Sequence, residues 1–89
     1  MHIYAAHILV PTLEQAIALK EKLKEGANFN KLAADYSKCP SAANGGYLGF
    51  FGKEQMVKPF EEAAYSTPVG GVSEPVKTQF GYHLIKRLY

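Results

Sequence analysis

The chain has 89 residues, a length that fits one domain spanning residues 1–89. Hydrophobic residues make up 47% of it and charged residues 20%, which is typical of a soluble globular protein and argues against disorder. The net charge is only +2, and the basic residues form no block longer than Lys86-Arg87, so the composition argues against a nucleic-acid partner. The longest apolar run is far too short to cross a membrane.

Cys39 is the single cysteine, so an intramolecular disulfide is impossible and a reducing compartment is favoured. The N-terminus has no basic region followed by a long apolar segment, so no signal peptide is predicted. We therefore expect a cytoplasmic protein, and a monomer is the simplest expectation. A domain cut from a longer chain would have the same features.

The first half of the chain predicts a strand and two helices. Residues 2–10 form an apolar run typical of a central strand. Thr12 and Gln15 have the spacing of a capping box, and Gly26 would end that helix. The apolar stripe predicted for this helix comprises Leu13, Ala16, Ile17, Lys20 and Leu23, with Leu19 beside it. Asn28 would cap the second helix, whose buried stripe comprises Phe29, Leu32, Ala33 and Tyr36.

The second half predicts three strands and one more helix. Residues 37–46 are rich in turn-forming residues, with room for one helical turn, and residues 47–51 form a short strand. After a loop over residues 53–57, Pro59 suits the first turn of a helix that Thr67-Pro68 ends. Residues 72–76 are predicted as an edge strand because they include Pro75, and residues 80–88 form the last strand. This order predicts an α+β fold with a small antiparallel sheet.

Two histidines stand in the same position within their strands. His7 and His83 each precede aliphatic residues, in A-H-I-L-V and H-L-I. A polar ring that enters a core needs a hydrogen-bond partner. We therefore predict that the two strands pair and bring the histidines together beneath a pocket.

Cys39 and the histidines leave three interpretations open. The thiol can be an inert small hydrophobe, or a nucleophile if His7 or His83 lies close enough to act as its base. A zinc site could combine His7, Cys39 and His83 with Asp35 or His2, but no two of these residues have a metal-binding spacing. Two histidines bonded to each other are the simpler account.

Met56, Phe60 and Phe80 also have two interpretations. Residues of these types are usually core. Alternatively, an adaptable methionine and two flat rings could line a lipophilic cup for a small saturated ring.

Four sequence blocks together resemble the parvulin family of peptidyl-prolyl cis/trans isomerases. They are A-H-I-L-V, G-G-Y-L-G-F-F, M-V-K-P-F-E-E-A-A-Y and V-S-E-P-V-K-T-Q-F-G-Y-H-L-I-K, and they occur in the family's order over essentially the whole chain. The chain resembles a small stand-alone parvulin. The resemblance implies a four-stranded antiparallel sheet surrounded by four helices, in the order β-α-α-α-β-α-β-β.

The same resemblance implies a set of site residues and no cofactor or metal. The expected catalytic residues are His7, Cys39, Thr78 and His83, with Thr78 bonded into the histidine pair. The expected substrate-binding residues are Leu48, Met56, Phe60 and Phe80.

The expected function is a prolyl isomerase that assists protein folding. Its partners would be proline-containing peptides and unfolded proteins, and its mechanism would be non-covalent. Residues 11–14 lack the lysines and arginines of phosphate-directed parvulins, so an apolar or unselective residue before proline is expected. Two rivals stay open: a parvulin-like binding module that serves as a chaperone or scaffold, and a cysteine hydrolase acting through Cys39.

Overall fold

Four strands, β1 (Ile3–Val10), β2 (Tyr47–Phe51), β3 (Val76–Thr78) and β4 (Gly81–Arg87), form one antiparallel sheet in the order β2-β1-β4-β3. The computed structural model describes residues 3–39, 45–52 and 55–89. The helices are α1 (Leu13–Lys24), α2 (Phe29–Tyr36) and α3 (Lys58–Ser66). The predicted α+β class and the four-stranded antiparallel sheet are confirmed.

The central strand β1 separates two hydrophobic cores. Alternate residues of a strand point to opposite faces. One core lies beneath α1 and α2 and includes Ala6 and Ile8 of β1. The other lies beneath α3 and includes Ile3 and Ala5. The site described below belongs to the α3 face.

Helix α1 begins at the predicted cap, but the face that it buries differs from the predicted apolar stripe. The Thr12 hydroxyl accepts from the Gln15 N–H at 3.2 Å, and it donates to the Gln15 side chain at 3.1 Å, so only half of the expected capping box forms. Leu13 and Ile17 are 42% and 47% exposed, and their predicted burial is wrong. Ala16 is buried as predicted, and Leu19, which was placed beside the stripe, is buried as well.

Lys20 explains part of this difference. Its ammonium group donates to the carbonyls of Val72 and Ser73 at 3.1 and 2.8 Å and pairs with Glu74 at 2.6 Å. The lysine therefore faces the sheet and ties α1 to the segment that precedes β3.

Helix α2 follows its prediction except at its last residue. The Asn28 side chain accepts from the Lys31 N–H at 3.0 Å, and Phe29, Leu32 and Ala33 are buried. Tyr36 is 48% exposed because it ends the helix, where the chain turns away, so its predicted burial is wrong.

The predicted strand over residues 72–76 is wrong. Residue Val72 makes only an isolated bridge to Lys86, and the paired strand begins at Val76. Pro75 has no N–H to donate, and the Ser73 hydroxyl accepts the Ile85 N–H at 3.1 Å in place of a backbone carbonyl. The edge position predicted from Pro75 holds for β3, which lies at one side of the sheet.

The remaining boundaries lie close to their predictions. Helix α3 contains Pro59 in its first turn, and β4 begins at Gly81, so Phe80 belongs to the turn. The described residues contain three helices. The helical turn expected within residues 37–46 falls mostly on residues 40–44, outside the described residues, as do residues 53 and 54 of the predicted loop. No helix in the described ranges is long and apolar enough to cross a membrane.

Candidate active site

The pairing of β1 with β4 brings the two strand histidines together. His7 lies opposite Ile85, and Leu9 lies opposite His83, so the histidines are diagonal neighbours on one face of the sheet. Their Nδ1 atoms are 3.0 Å apart, and the ring planes are within 16° of parallel. The pairing predicted from the two aliphatic runs is therefore observed.

Thr78 extends this pair to the surface turn. Its Oγ1 lies 2.8 Å from Nε2 of His83 and accepts the Phe80 N–H at 3.1 Å. Gly81 follows with φ +139, and a Cβ there would lie 2.7 Å from the Val10 carbonyl oxygen. The turn thus holds Thr78 beneath His83 because glycine allows the close approach of β4 to β1.

Both imidazoles are neutral at neutral pH. His7 and His83 are buried, and burial lowers the pKa of each ring from 6.5 to about 4. For His7, the charge that His83 could carry is a second cause that lowers the pKa. A neutral imidazole has one N–H and one bare nitrogen, so one Nδ1 donates to the other.

Phe60 covers the histidine pair from α3. Its ring contacts both imidazoles edge-on, with centroid distances of 5.5 Å to His7 and 5.1 Å to His83. The side chain is 3% exposed. Pro59, beside it in the first turn of α3, has a fixed φ that suits the start of a helix and so helps to set the direction of this residue.

A cavity of about 530 Å³ opens above these rings, and most of its lining is apolar. Seven of the eight site residues expected from the family resemblance line it, and Thr78 lies behind His83. Four further lining residues were not predicted. The complete described lining is His7, Leu9, Lys38, Cys39, Leu48, Gln55, Met56, Val57, Phe60, Phe80 and His83.

A sequence signal existed for some of the four unpredicted residues. Leu9 lies two positions after His7 in the same strand and therefore points to the same face. Lys38 and Val57 are adjacent to the predicted Cys39 and Met56. For Gln55, no pattern in the sequence indicated a place in the cavity.

The segment that carries Cys39 is held against β1 by two hydrogen bonds, and a third bond lies within the segment. The Ser37 hydroxyl accepts from the backbone N–H of Leu9 at 3.0 Å and from that of Cys39 at 3.4 Å. The Lys38 N–H donates to the Leu9 carbonyl at 2.7 Å. These bonds place the half-buried Cys39 on the cavity wall.

None of the described contacts places a general base beside the Cys39 thiol. Among residues 3–39, 45–52 and 55–89, no hydrogen bond joins its thiol to either imidazole. The histidines instead bond to each other and to Thr78. The arrangement therefore does not resemble a nucleophile activated by an adjacent base.

The zinc alternative gains no support from the positions of its ligands. Within the described part of the chain, no three histidine, cysteine or acidic side chains come together to hold a metal ion. His2, which that alternative included, lies outside the described residues.

Comparison with known proteins gives one consistent family. Residues 7–88 match the model of the rotamase family, described as the PPIC-type PPIase domain. The foldase protein PrsA of Geobacillus kaustophilus is 58% identical over 85 residues, which cover 94% of this chain and 30% of that protein. The chain thus spans about a third of the length of the curated relatives it matches.

Solved structures give the same result for the fold. The crystal structure of PrsA from Bacillus subtilis superimposes with a TM-score of 0.95 at 46% identity, covering 99% of this chain and 35% of that one. The solution structure of NmPin, the parvulin of Nitrosopumilus maritimus, superimposes with a TM-score of 0.90 at 52% identity. That match covers 99% of this chain and 96% of the parvulin. The resemblance seen in the sequence is therefore confirmed: the chain belongs to the parvulin family of PPIC-type peptidyl-prolyl isomerase domains.

Proposed function

We propose that this protein accelerates cis/trans rotation about X–Pro bonds in unfolded or flexible protein chains, without a covalent intermediate and without selecting phosphate. Its substrates would be proline-containing segments of unfolded proteins, and its role would be to assist folding. The observation that carries the proposal is an apolar cavity whose floor is formed by two neutral histidines that are hydrogen-bonded to each other.

The reaction requires no chemical group to be transferred. Resonance makes the C–N bond of a peptide partly double, and uncatalysed rotation about an X–Pro bond takes tens to hundreds of seconds. The planar bond carries partial negative charge on its oxygen, and this charge falls as the bond twists. A cavity that excludes water therefore disfavours the planar form relative to the twisted one.

The side chains that line the cavity suit this task. Met56, Phe60 and Phe80 offer apolar contact to the proline ring while the rest of the peptide turns. The neutral histidines add no charge to the cavity at neutral pH. A rate gain of ~10⁴ needs only about 5.5 kcal/mol, which such contacts can supply without a covalent step.

Cys39 has a polar-contact role in this proposal. Its thiol lines the cavity, and no bond to a described histidine prepares it as a nucleophile. The histidine pair and Thr78 are positioning residues, because their hydrogen bonds hold the floor of the cavity in one arrangement.

Phosphate selection is not part of the proposal, because residues 11–14 contain no lysine or arginine. The cytoplasmic location and the monomeric state expected from the sequence stay predictions. Size-exclusion chromatography with light scattering checks the second of these.

The proposal is tested with a series of short peptides that differ only in the residue before proline. Catalytic amounts of protein should accelerate cis/trans exchange in this series, and a phosphoserine before proline should not raise the rate tenfold over glutamate. Met56→Ala should lower kcat/KM. The matched control is Val69→Ala, at a residue that is 63% exposed and outside the cavity. Binding without acceleration of any peptide would refute the isomerase and favour the binding-module rival.

A further inference from the structure

One side chain that is charged at neutral pH lies at the edge of the otherwise uncharged cavity. Among the lining residues that the structure describes, Lys38 is the one side chain charged at neutral pH, because burial keeps His7 and His83 neutral. Lys38 is exposed, and its ammonium group makes no ion pair within the described residues. Its charge is therefore available to a molecule that enters the cavity.

Hydrogen bonds to the central strand place the backbone of Lys38, while its side chain is exposed. The N–H of Lys38 donates to the Leu9 carbonyl of the central strand at 2.7 Å, and Ser37 beside it accepts from the Leu9 N–H. Movement of this residue away from the rim would break these bonds. The lysine therefore stays near any peptide whose proline occupies the cavity.

Lys38 also lines a second cavity, which lies beside the cavity above the histidine pair. The second cavity measures about 230 Å³ and lies between α1, α2 and the end of β1. Its charged lining residues are Lys22, Asp35 and Lys38. Asp35 already pairs with Lys31 at 3.8 Å, so positive charge predominates on the path from one cavity to the other.

From this placement we propose that Lys38 is a specificity-determining residue that favours substrates with aspartate or glutamate next to the proline. The inference rests on the proposed isomerase function and names the substrate class of the same site. A single lysine supplies one point charge on a flexible stem, which suits a carboxylate. Lys38 belongs to the segment after α2. The lack of basic residues at positions 11–14, which argues against phosphate selection, therefore does not argue against a role for Lys38.

The effect should have the size of an exposed ion pair. A peptide with glutamate before proline should be turned over about two- to fivefold faster, in kcat/KM, than the same peptide with lysine. Since salt screens exposed charges, this ratio should fall towards one between 0.01 and 1 M ionic strength.

Two substitutions of the same residue test the assignment. Lys38→Met keeps the length of the side chain and removes its charge, so the glutamate-to-lysine ratio should approach one. Lys38→Glu should invert the ratio. The matched control is Lys24→Glu, which makes the same change of charge on an exposed residue of α1. Neither Lys24 nor its ion-pair partner Glu21 lines either cavity, so this variant should leave the ratio unchanged.

The outcomes separate this inference from the function on which it rests. If the unmodified protein accelerates no peptide, the isomerase proposal fails. If it accelerates the peptides but Lys38→Glu keeps the same ratio as the unmodified protein, the inference about Lys38 is overturned while the isomerase stands. An equal change of the ratio in Lys24→Glu would also overturn it, because the effect would then come from net charge alone.

Discussion

Mild acid should destabilise the fold through the buried histidine pair. The folded pKa of each ring is about 4, below the unfolded value of 6.5, so the unfolded chain binds protons more readily between these values. Stability rises with pH wherever the unfolded state binds more protons. The contribution of the pair is therefore fully present above pH 6.5 and is lost as pH falls from 6.5 towards 4.

The magnitude follows from the two pKa values. Between pH 8 and pH 5, a shift of this size changes the free energy of unfolding by about 2 kcal/mol for one histidine. The two rings interact and residual hydration weakens the effect, so the pair together should contribute about 2–4 kcal/mol. This is a large share of the 5–15 kcal/mol typical of a small domain.

Urea unfolding at pH 8, 6.5 and 5 measures this effect. Carboxylates also titrate in acid, so the useful quantity is the difference between the unmodified protein and the double variant His7→Leu/His83→Leu. His2 is present in both chains and cancels. The pH dependence of the double variant should be weaker by about 2–4 kcal/mol over this range. An equal dependence in both proteins would refute the reasoning.

A direct measurement keeps the prediction testable if the double variant does not fold. The titration of the imidazole carbon protons can be followed by NMR in the unmodified protein. Both ring pKa values should lie well below 6.5. A normal pKa for either buried ring would show that the pair is hydrated or charged, whereas our account requires the floor of the cavity to be neutral.

Substitutions of Cys39, Phe60 and Gly81 test other parts of the site. Cys39→Ser should keep much of the isomerase activity and Cys39→Ala should lose it only in part, whereas complete loss in both with a trapped adduct would show a nucleophile. Phe60→Ala should lower the free energy of unfolding by about 3–5 kcal/mol in chemical denaturation, because the ring is buried against both histidines; a cost below 1 kcal/mol would contradict that packing. Gly81→Ala should destabilise more than Gly70→Ala, because both residues have positive φ but only Gly81 approaches a backbone oxygen; equal unfolding midpoints would contradict the close approach.

The sheet and the histidine pair could be predicted because their signals are local. His7 and His83 each head an aliphatic run, and two such strands at the centre of a sheet place their polar rings on one face. The resemblance to the parvulin family then indicated Cys39, Leu48 and Met56 as neighbours of that pair. Their positions on the cavity wall agree with that expectation.

Two of the errors arose where a side chain bonds to the backbone of a distant segment. Lys20 looked like part of an apolar stripe, and its hydrogen bonds to Val72 and Ser73 come from a segment more than fifty residues away. The Ser73 hydroxyl takes a ladder bond from Ile85, so the strand begins later than its apolar residues suggest. Such contacts depend on tertiary structure and leave no periodic signal in the sequence.

The place of Lys38 at the cavity rim was missed for a related reason. Lys38 and Cys39 follow α2 in an irregular segment, and only the bonds from Ser37 and Lys38 to β1 fix which side chains face the cavity. A lysine in a loop is usually solvated. Its adjacency to Cys39 was a sequence signal, but only the fold shows that the lysine lines the cavity.

The central claim is that the cavity above the histidine pair binds proline and speeds its rotation. NMR exchange spectroscopy of one X–Pro peptide with a catalytic amount of labelled protein measures both parts in one sample. We predict cis/trans exchange far above the uncatalysed rate, together with peptide-dependent shifts of the Met56 methyl and the Leu48 methyls. Unchanged exchange, or fast exchange with shifts confined to residues outside this cavity, would contradict the account.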